Sequence, residues 1–429
     1  MRQAQALNIM LRGNSVFLTG PPGAGKTYIL NEFVRRAINE GKTVAITAST
    51  GIAATHIGGS TIHSWSGLGI RELLEPRDIR ALAANPKLVK RYNATDVLVI
   101  DEVSMLHGRR LDMVNQVAKL LRGNSRPFGG LQVVLVGDLF QLPPVNRDSR
   151  DSDFAHLSQA WKESELKICY LSEQHRQQSG GLLDFLNAMR RGELEDFHHE
   201  VLQERINIRP EADQPVTRLY AHNVDIDTIN QNHLDKIKAD TRIYDMRTKG
   251  PAAKVEQIIR SVLAPETLEL KEGAEVMFVA NNPQAGFVNG TRGHVVGFDE
   301  GKPVVKVNGS NRRVKVAEHS WKLEEDGKVK AEVAQLPLRL AWAITIHKSQ
   351  GMSLDTAEID LSKSFTPGMG YVALSRVRSL EGLYLLGINS MALQLHPEIH
   401  DLDSQLRQHS DKLAATTEDA PEAKPKTKS

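Results

Sequence analysis

The sequence predicts an α/β protein built on two parallel β-sheets, with a small β-barrel inserted in its second half. Three observations predict this fold class. Short β-branched strands alternate with helical patterns in the first half of the 429 residues, which is typical of a parallel sheet covered by helices. A second series of strands and helices begins near residue 166 and resumes near residue 336. Between them, the stretch 244–333 contains short strands separated by Asn-Gly and Asp-Gly turns, which favours a small barrel.

The first informative element is the turn Gly20-Pro21-Pro22-Gly23-Ala24-Gly25-Lys26-Thr27, which follows an apolar strand and precedes a helical pattern over 28–34. Its glycines allow backbone N–H groups to surround an anion. Lys26 supplies a positive charge for the terminal phosphates of a nucleotide, and Thr27 supplies a hydroxyl for the Mg²⁺ bound to them. The spacing and the strand–turn–helix order therefore predict a P-loop that serves nucleotide hydrolysis.

The composition is that of a soluble globular protein, with 40% hydrophobic and 25% charged residues. A net charge of +2 predicts that any nucleic acid is bound in a local groove rather than on a generally basic surface. The single cysteine, Cys169, excludes internal disulfides, and its expected role is that of a buried strand residue. Because the sequence contains neither an apolar run of membrane-spanning length nor a signal-peptide pattern, we expect a soluble cytoplasmic protein.

Polar residues follow the later strands of the first predicted sheet. The strands over 43–47, 97–100 and 133–136 end at Ala48-Ser49-Thr50-Gly51, Asp101-Glu102 and Gly137-Asp138. Because ligands of open α/β sheets bind beyond the carboxyl ends of the strands, we expect these tips to converge on the P-loop. Asp101 would hold the metal, and Glu102 would orient and deprotonate the attacking water. Gln141, just past another strand end, would contact the γ-phosphate or the attacking water, although a single loop glutamine is ordinarily a solvated polar residue.

The pattern of elements predicts the domain organisation. The predicted segments are 1–63 and 94–165 (first α/β domain), 64–93 (a polar helical insertion), 166–243 and 334–395 (second α/β domain), 244–333 (β-barrel insertion) and 396–429 (C-terminal segment). The second domain is predicted from strands at 166–171, 216–220, 357–361 and 383–386, with a helix over 181–191. From about residue 414 the chain lacks a periodic apolar face, which predicts a disordered tail.

Two arginines, Arg176 and Arg376, lie far from the P-loop in sequence. An arginine that reaches the γ-phosphate neutralises charge in the transition state and contributes on the order of 10³ to 10⁵ in rate. From the residues alone, however, each is more simply explained as a surface salt-bridge residue.

Several motifs together resemble superfamily 1B DNA helicases. They are Thr47-Ala48-Ser49-Thr50-Gly51-Ile52-Ala53-Ala54, Gly58-Gly59-Ser60-Thr61-Ile62-His63-Ser64-Trp65, Ile100-Asp101-Glu102-Val103-Ser104-Met105, and the stretches 127–130, 137–145, 341–351 and 371–378. Within that superfamily the chain is most similar to the petite-integration-frequency (Pif-one) family, with the phage Dda and bacterial RecD helicases as more distant relatives. The motifs occur in family order and cover nearly the whole chain.

The resemblance implies an ATP-dependent, Mg²⁺-dependent DNA helicase that moves 5′ to 3′ on single-stranded DNA. Its implied fold has two RecA-like parallel-sheet P-loop domains, a small wedge insertion (domain 1B) at 64–93 and an SH3-like β-barrel insertion (domain 2B) at 244–333. The implied catalytic residues are Lys26, Asp101, Glu102, Gln141, Arg176 and Arg376, with Thr27 and Asp101 at the metal. The implied nucleotide-binding residues are Gln3, Gly20, Pro21, Gly23, Ala24, Gly25, Lys26, Thr27, Tyr28, Gln350 and Gly351. Gln3 matches the adenine-contacting glutamine best, and Gln5 is the weaker choice.

The resemblance also implies a DNA path lined by small polar groups, which grip phosphates without reading bases. The implied DNA-binding residues are Thr50, Gly51, Thr61, His63, Trp65, Phe140, Pro143, His222, Asn223, Thr345, His347 and Lys348. Trp65, Phe140 and Pro143 are expected to stack on or wedge against bases, with core packing as the alternative for the two rings. The basic cluster 312–315 of the barrel either contacts duplex DNA or is a solvated strand face.

Two other functions fit part of the sequence. A regulatory nucleotide switch that binds DNA without unwinding it would share most of the motifs. An inactive ATPase is disfavoured by four intact residues, Glu102, Gln141, Arg176 and Arg376. A P-loop kinase is disfavoured because no lid or phosphate-acceptor site is apparent. The expected partners are single-stranded DNA and junctions of single and double strands, with no membrane. We expect a monomer in solution and leave dimerisation on DNA open.

Overall fold

The computed structural model describes residues 1–69, 71–144, 153–172, 180–206, 208–211, 216–280, 282, 284–287, 290–308, 310–325 and 328–419. The chain divides into two compact units. The first contains Met1–Glu195, Thr366–Ser375 and the segment from Leu393, and the second contains Asp196–Phe365 and Arg376–Ala392. No helix in these ranges combines the length and apolar character needed to cross a membrane.

The helices, in chain order, are α1 (Gln3–Leu11), α2 (Lys26–Asn39), α3 (Gly51–His56), α4 (Ile62–Trp65), α5 (Pro76–Ala83), α6 (Pro86–Ala94), α7 (Gly108–Arg122), α8 (Gln159–Glu163), α9 (Gly181–Arg191), α10 (Asp196–Ile206), α11 (Asn223–Lys236), α12 (Ala252–Ser261), α13 (Met369–Leu374) and α14 (Pro397–Ala415). The strands are β1 (Val16–Thr19), β2 (Val44–Ala48), β3 (Ser60–Thr61), β4 (Val97–Asp101), β5 (Gln132–Val136), β6 (Lys167–Tyr170), β7 (Thr217–Tyr220), β8 (Arg242–Asp245), β9 (Arg247–Lys249), β10 (Thr267–Leu270), β11 (Glu275–Phe278), β12 (Arg292–Asp299), β13 (Lys302–Val307), β14 (Arg313–Lys315), β15 (His319–Glu325), β16 (Lys328–Gln335), β17 (Leu338–Leu340), β18 (Ala343–Thr345), β19 (Ala357–Leu361) and β20 (Leu383–Ile388).

The first unit is organised by a six-stranded sheet in the order β3-β2-β4-β5-β1-β6, in which every pair of neighbours is parallel. Its central strands are apolar because helices cover them, and the four residues of β1 are all buried. Val16 and Val99 on the sheet belong to the same core cluster as Leu30 and Phe33 of α2. This packing fixes the P-loop at the carboxyl end of β1, as the sequence predicts.

The strand predicted to open the second α/β domain belongs to the first sheet. Strand β6 pairs with β1 in parallel, with Val16 opposite Lys167 and Thr19 opposite Tyr170. Helix α9, which the sequence predicts with the correct bounds, is also part of the first unit. The predicted boundary at residue 166 is therefore wrong, because the composition of an edge strand does not reveal which sheet it joins.

The C-terminal segment is ordered beyond the predicted start of disorder. Helix α14 continues to Ala415, and side chains of α1 bind the backbone that follows it. The amide of Gln5 donates to the carbonyl oxygens of Ala414 and Thr417 at 3.0 and 2.9 Å, and the amide of Asn8 donates to that of Glu418 at 2.9 Å. The prediction of disorder is thus wrong for residues 414–419, because polar side chains of α1 replace the missing apolar face. Residues 420–429 lie outside the described part of the chain.

The predicted insertion at 64–93 is helical, as expected. Helices α5 and α6 each begin with a proline, whose fixed φ suits the first helical position. Asn85 caps α6, since its Oδ1 accepts the N–H groups of Lys87 and Leu88 at 3.1 Å.

The second unit contains a parallel sheet in the order β18-β7-β19-β20. The predicted barrel region forms a five-stranded antiparallel sheet (β14-β13-β12-β11-β17), a three-stranded sheet (β15-β16-β9) and a two-stranded sheet (β10-β8). Strand β17 extends the five-stranded sheet beyond the predicted limit at residue 333. Helix α12, which the sequence analysis did not predict, packs Val255 and Ile258 against Ala331 and Val333 of β16.

Candidate functional site

The P-loop is tightly folded around Lys26, the first residue of α2. Its Nζ donates to the carbonyl oxygens of Gly20 and Pro21 at 2.7 and 3.0 Å. Gly25 adopts a left-handed conformation with φ of 84°, and a Cβ at this position would lie 2.2 Å from the amide nitrogen of Gln3. The left-handed conformation favours glycine there, and a larger residue would also displace the side chain of Gln3. Thr27 is exposed on the first turn of α2.

Gln3 lies against the P-loop, where its amide nitrogen donates to the carbonyl oxygen of Ala24 at 3.1 Å. Beside the loop is a cavity of about 280 Å³, and its lining includes Pro21, Met1 and Tyr170. Arg190, Arg191, Arg407 and Asp411 also line this cavity, and the three arginines form ion pairs with carboxylates. Tyr28, another residue assigned to the nucleotide, is 69% exposed.

Two adjacent carboxylates stand at the end of β4. Oδ1 of Asp101 accepts the N–H of Glu102 at 2.8 Å, and Glu102 has a left-handed backbone with φ of 51°. Ser49 Oγ donates to the carbonyl oxygen of Glu102 at 2.7 Å and helps to hold this conformation. Burial and the charge of Glu102 raise the pKa of Asp101 to about 7, although the N–H of Glu102 and Lys26 act in the opposite direction.

This donor set fits a divalent cation. A desolvated carboxylate that is repelled by its neighbour gains from a nearby positive charge, and Mg²⁺ prefers carboxylate and hydroxyl oxygens. The two residues assigned to the metal provide such oxygens, since Asp101 has a carboxylate and the exposed Thr27 has a hydroxyl.

The loop after β5 is buried. Asp138 is fully buried, and the N–H of Gln141 donates to its carbonyl oxygen at 3.0 Å. The carboxylate of Asp138 accepts two hydrogen bonds from Arg190, at 2.8 and 2.9 Å. Sequence reasoning missed Arg190, although one signal was present. Arg190 follows Leu186 by four positions and so lies on the apolar face of α9, where a charged side chain needs a buried partner.

Trp65 and Phe140 are both part of the core. Trp65 is 8% exposed and packs against Tyr92, with ring centroids 4.6 Å apart. Phe140 is 2% exposed and lies under the guanidinium of Arg190, 4.5 Å from the ring centroid. The structure therefore supports the alternative interpretation, core packing, and neither ring is positioned to stack on a base. Pro143, in the same loop as Phe140, is half-buried.

The hydroxyls predicted to contact DNA in the first unit cap short helices. Thr50 Oγ1 accepts the N–H of Ala53 at 3.2 Å at the start of α3, beside Gly51. Thr61 Oγ1 accepts the N–H of Ser64 at 3.3 Å and caps α4. His63 follows on α4, and its pKa is lowered to about 4 by burial and by the charges of Arg110 and His107. This imidazole is therefore neutral at pH 7.

In the second unit, residues after two neighbouring strands form an aromatic stack. His222 follows β7, His347 follows β18, and these strands are paired in parallel. The ring of Phe365 is stacked on both, with centroids 4.9 Å from His222 and 6.1 Å from His347. Phe365 is 53% exposed. Sequence reasoning missed it, because the ring becomes notable only through these two neighbours. We call His222, Phe365 and His347 the aromatic stack. The side chain of Asn223 lies outside the described part of the structure.

Lys348 lies next to the aromatic stack in sequence. Burial and the charge of Arg339 lower its pKa to about 8, and Asp227 acts in the opposite direction. Its N–H donates to Oγ1 of Thr345, which is itself buried, at 3.1 Å. Two neighbouring cations that are both partly desolvated favour the binding of an anion such as a phosphate.

The remaining predicted residues are less informative. Arg176 lies outside the described residues. Arg376 is 1% exposed, and its Nη1 donates to the carbonyl oxygen of Met352 at 3.4 Å. Gln350 is buried, and Gly351 is exposed with φ of 82°. In the basic cluster of the barrel, Lys315 forms 2.7 Å ion pairs with Asp299 and Glu300, which supports a solvated strand face.

Comparison with known proteins places these features in context. The family model described as PIF1-like helicase matches residues 2–207, and that of the DNA helicase Pif1 2B domain matches residues 255–298. The ATP-dependent DNA helicase Pif1 of Psychrobacter sp. is 44% identical, over 95% of this chain and 71% of that protein. The crystal structure of the Pif1 helicase from Candida albicans is 35% identical, with a TM-score of 0.85 over 94% of this chain and 98% of that one. The structure of the Bacteroides Pif1 helicase with ADP-AlF3 and single-stranded DNA is 30% identical, with a TM-score of 0.74 over 96% of this chain and 98% of that one.

Proposed function

This chain belongs to the PIF1-like helicase family and is an ATP-dependent DNA helicase, and from that premise we propose that it hydrolyses ATP between the P-loop and the pair Asp101-Glu102 and moves 5′ to 3′ on single-stranded DNA. The observation that carries the proposal is the meeting of the P-loop with a carboxylate pair on one parallel sheet. Strands β1 and β4 both border β5, so the turn that carries Lys26 and the pair Asp101-Glu102 follow strands at the same edge. This is the arrangement that hydrolysis of a nucleotide requires.

The nucleotide phosphates would take the place of the two carbonyl oxygens as partners of Lys26 Nζ. Glu102 would accept a proton from the attacking water, and Gln141 would contact the γ-phosphate. Thr27 and Asp101 would hold Mg²⁺, which supplies positive charge between the phosphates. Arg176 and Arg376 are proposed, on their motifs alone, to neutralise charge on the γ-phosphate.

The cavity beside Pro21 is the proposed position of the nucleoside, because it adjoins the phosphate-binding loop. Gln3 would then contact both adenine and the P-loop, since its amide already donates to the carbonyl oxygen of Ala24 at 3.1 Å.

On DNA, the aromatic stack and Lys348 are proposed to hold one strand, the rings against bases and the cation against a phosphate. Contacts of this kind tolerate any sequence, as a translocating protein requires. The proposed substrates are duplexes with a single-stranded 5′ tail and forks, and by extension G-quadruplexes and RNA–DNA hybrids.

Replacing Lys26 with alanine tests the ATPase half of the proposal. We expect DNA-stimulated ATP hydrolysis to fall at least about 100-fold, because a charge that stabilises the transition state is lost. The affinity for single-stranded DNA should change by less than about threefold, which corresponds to under ~1 kcal/mol. Lys42→Ala, at a surface lysine 3.9 Å from Glu40, is the control and should resemble the wild type. Undiminished turnover in Lys26→Ala would contradict the proposal.

Tailed duplexes test polarity and strand separation. The helicase should open 5′-tailed substrates, and efficient opening of 3′-tailed substrates alone would refute the assigned direction. Hydrolysis of ATP without opening of either substrate would instead favour the DNA-binding nucleotide switch. Repeating the assay over a range of protein concentrations would reveal dimerisation on DNA.

A further inference from the structure

Arg190 is the centre of a buried polar network inside the first unit. Its side chain is only 2% exposed. Nη1 donates to both carboxylate oxygens of Asp138, at 2.8 and 2.9 Å, and Nη2 donates to Oδ1 of Asp403 at 3.0 Å. Nε donates to the hydroxyl of Tyr170 at 3.0 Å. One guanidinium group is thus shared between the end of β5 and the C-terminal helix α14.

The charges of this network balance. Asp403 also accepts a hydrogen bond from Nε of Arg407 at 2.6 Å, so two arginines face two carboxylates. The hydroxyl of Tyr371 accepts a hydrogen bond from Nη1 of Arg190 at 2.8 Å and lies 3.5 Å from Asp138. Burial alone would lower the pKa of Arg190, but the neighbouring carboxylates hold it above its ordinary value. Removing one partner from such a set leaves an uncompensated buried charge, which is strongly unfavourable.

The network determines the shape of the loop that follows β5. Oδ1 of Asp138 accepts the N–H of Phe140 at 3.3 Å, and the carbonyl oxygen of Asp138 accepts the N–H of Gln141 at 3.0 Å. The guanidinium of Arg190 also packs on the ring of Phe140, 4.5 Å from its centroid. The positions of residues 138–141, and with them that of Gln141, therefore depend on where Arg190 is held.

Part of that control comes from the C-terminal helix, which carries none of the motifs found in the sequence. Besides supplying Asp403, α14 binds the edge strand β6, because Ser410 Oγ accepts the N–H of Tyr170 at 2.9 Å. The helix is thus fixed relative to the sheet, and Asp403 can act as a stationary counter-charge.

We propose that Arg190 and Asp403 are positioning residues for ATP hydrolysis, which hold the loop 138–141 so that Gln141 meets the γ-phosphate. This inference rests on the proposed function. Without the negative charge of Asp403, Nη2 of Arg190 would lose its charged partner, and the guanidinium would shift together with the Asp138 carboxylate that it binds, which would displace the loop. A misplacement of about 1 Å can cost on the order of 100-fold in rate. Arg190 also lines the cavity beside Pro21, but none of its described hydrogen bonds goes to the P-loop. We therefore expect catalysis to suffer more than nucleotide binding.

The test compares Asp403→Asn with Asp401→Asn in the full chain. Both changes remove one carboxylate charge from α14, but Asp401 is exposed and outside the network. Asp403→Asn should lower the kcat of DNA-stimulated ATP hydrolysis by about tenfold or more and change the KM for ATP by less than about twofold. Asp401→Asn should match the wild type. Thermal unfolding of each variant establishes that it is folded at the assay temperature. Tyr371→Phe, which removes only a hydroxyl, is the milder second variant and should lower kcat by about threefold.

Single-turnover hydrolysis in a Gln141→Ala background separates positioning from general stability. If Asp403 acts through Gln141, Asp403→Asn should add less than about a twofold further loss there. A loss in the Gln141→Ala background equal to that in the wild type would overturn the inference, as would an unchanged kcat in both folded Asp403→Asn and Tyr371→Phe. Absence of DNA-stimulated hydrolysis from the wild type and Asp401→Asn would overturn the proposed function and this inference with it.

Discussion

In the first unit, the loop that carries Gln141 is held by buried partners, whereas in the second unit the aromatic stack and Lys348, which are proposed to contact DNA, are exposed or half-buried. Asp138 accepts hydrogen bonds from a buried arginine, and Gly25 is closely packed against Gln3. The ring of Phe365, by contrast, is 53% exposed and is held mainly by stacking on two histidines. Hydrolysis needs fixed geometry, since small displacements reduce the rate steeply. A strand that must slide needs contacts that form and release easily.

The largest effect is expected in the first unit, at the proposed site of ATP hydrolysis. Glu102→Gln keeps the size of the side chain but removes the proposed base, so kcat should fall by about 10² to 10⁴. Glu165→Gln is a matched control, because Glu165 also has a left-handed backbone, with φ of 44°, and is exposed. Steady-state ATPase assays with saturating single-stranded DNA measure both. A loss of less than tenfold in Glu102→Gln would show that this carboxylate is not the base.

A smaller effect is expected at the aromatic stack. Phe365→Ala should weaken single-stranded DNA binding by roughly 5- to 150-fold, since stacking on one base contributes ~1 to 3 kcal/mol. Phe197→Ala is the control, because Phe197 has the same exposure of 53% and also packs on a histidine, His198, at 3.8 Å. Fluorescence anisotropy with a labelled oligonucleotide measures both. Equal affinities for the two variants would remove the aromatic stack from the proposed DNA path.

The smallest effect concerns pH. The pKa of Lys348 is lowered to about 8 from its ordinary 10.5, and only the protonated form attracts a phosphate. DNA affinity should therefore be highest below pH 7 and should weaken by up to about tenfold between about pH 7 and 9. Because the pKa of Lys348 is lower in the folded than in the unfolded protein, its protonation below about pH 8 destabilises the folded state. The free energy of unfolding should therefore increase as the pH rises from 8 to 10.5. The pKa of the neighbouring His347 is lowered, so this group stays neutral in that window.

Lys348→Arg is the control for that experiment, because an arginine stays protonated throughout this pH range. Its binding curve should be flat where that of the wild type falls. Parallel curves for the two proteins would mean that Lys348 does not meet the phosphate.

The same contrast explains how much the sequence could predict. The P-loop, Asp101 and Glu102 were predictable because each motif is contiguous and its strand–turn–helix context is local. The role of Arg190 was not, because its partners Asp138 and Asp403 lie 52 and 213 positions away. Trp65 and Phe140 show the related difficulty that an aromatic residue in a motif has the same sequence signature whether its ring is exposed or buried.

The predictions for edge strand β6 and for the segment after α14 were wrong for a similar reason, because the partners of both lie far away in sequence. A short apolar strand fits either sheet, and its true partner, β1, lies far upstream. The residues after 414 have few apolar side chains, and their order depends on Gln5 and Asn8 at the other end of the sequence. A composition-based prediction cannot include donors supplied by a distant helix.

The contact between α1 and the end of α14 also has a consequence for the unfolded chain. Gln5 and Thr417 are 412 positions apart, so holding them together closes a very long loop. The entropy of closing a loop grows only with the logarithm of its length. In a chain-entropy model, a covalent link between Gln5 and Thr417 would still destabilise the unfolded state by about 6 kcal/mol, because it removes conformational entropy. The native contact already brings these two residues together, so such a ring could be closed with little rearrangement of the fold.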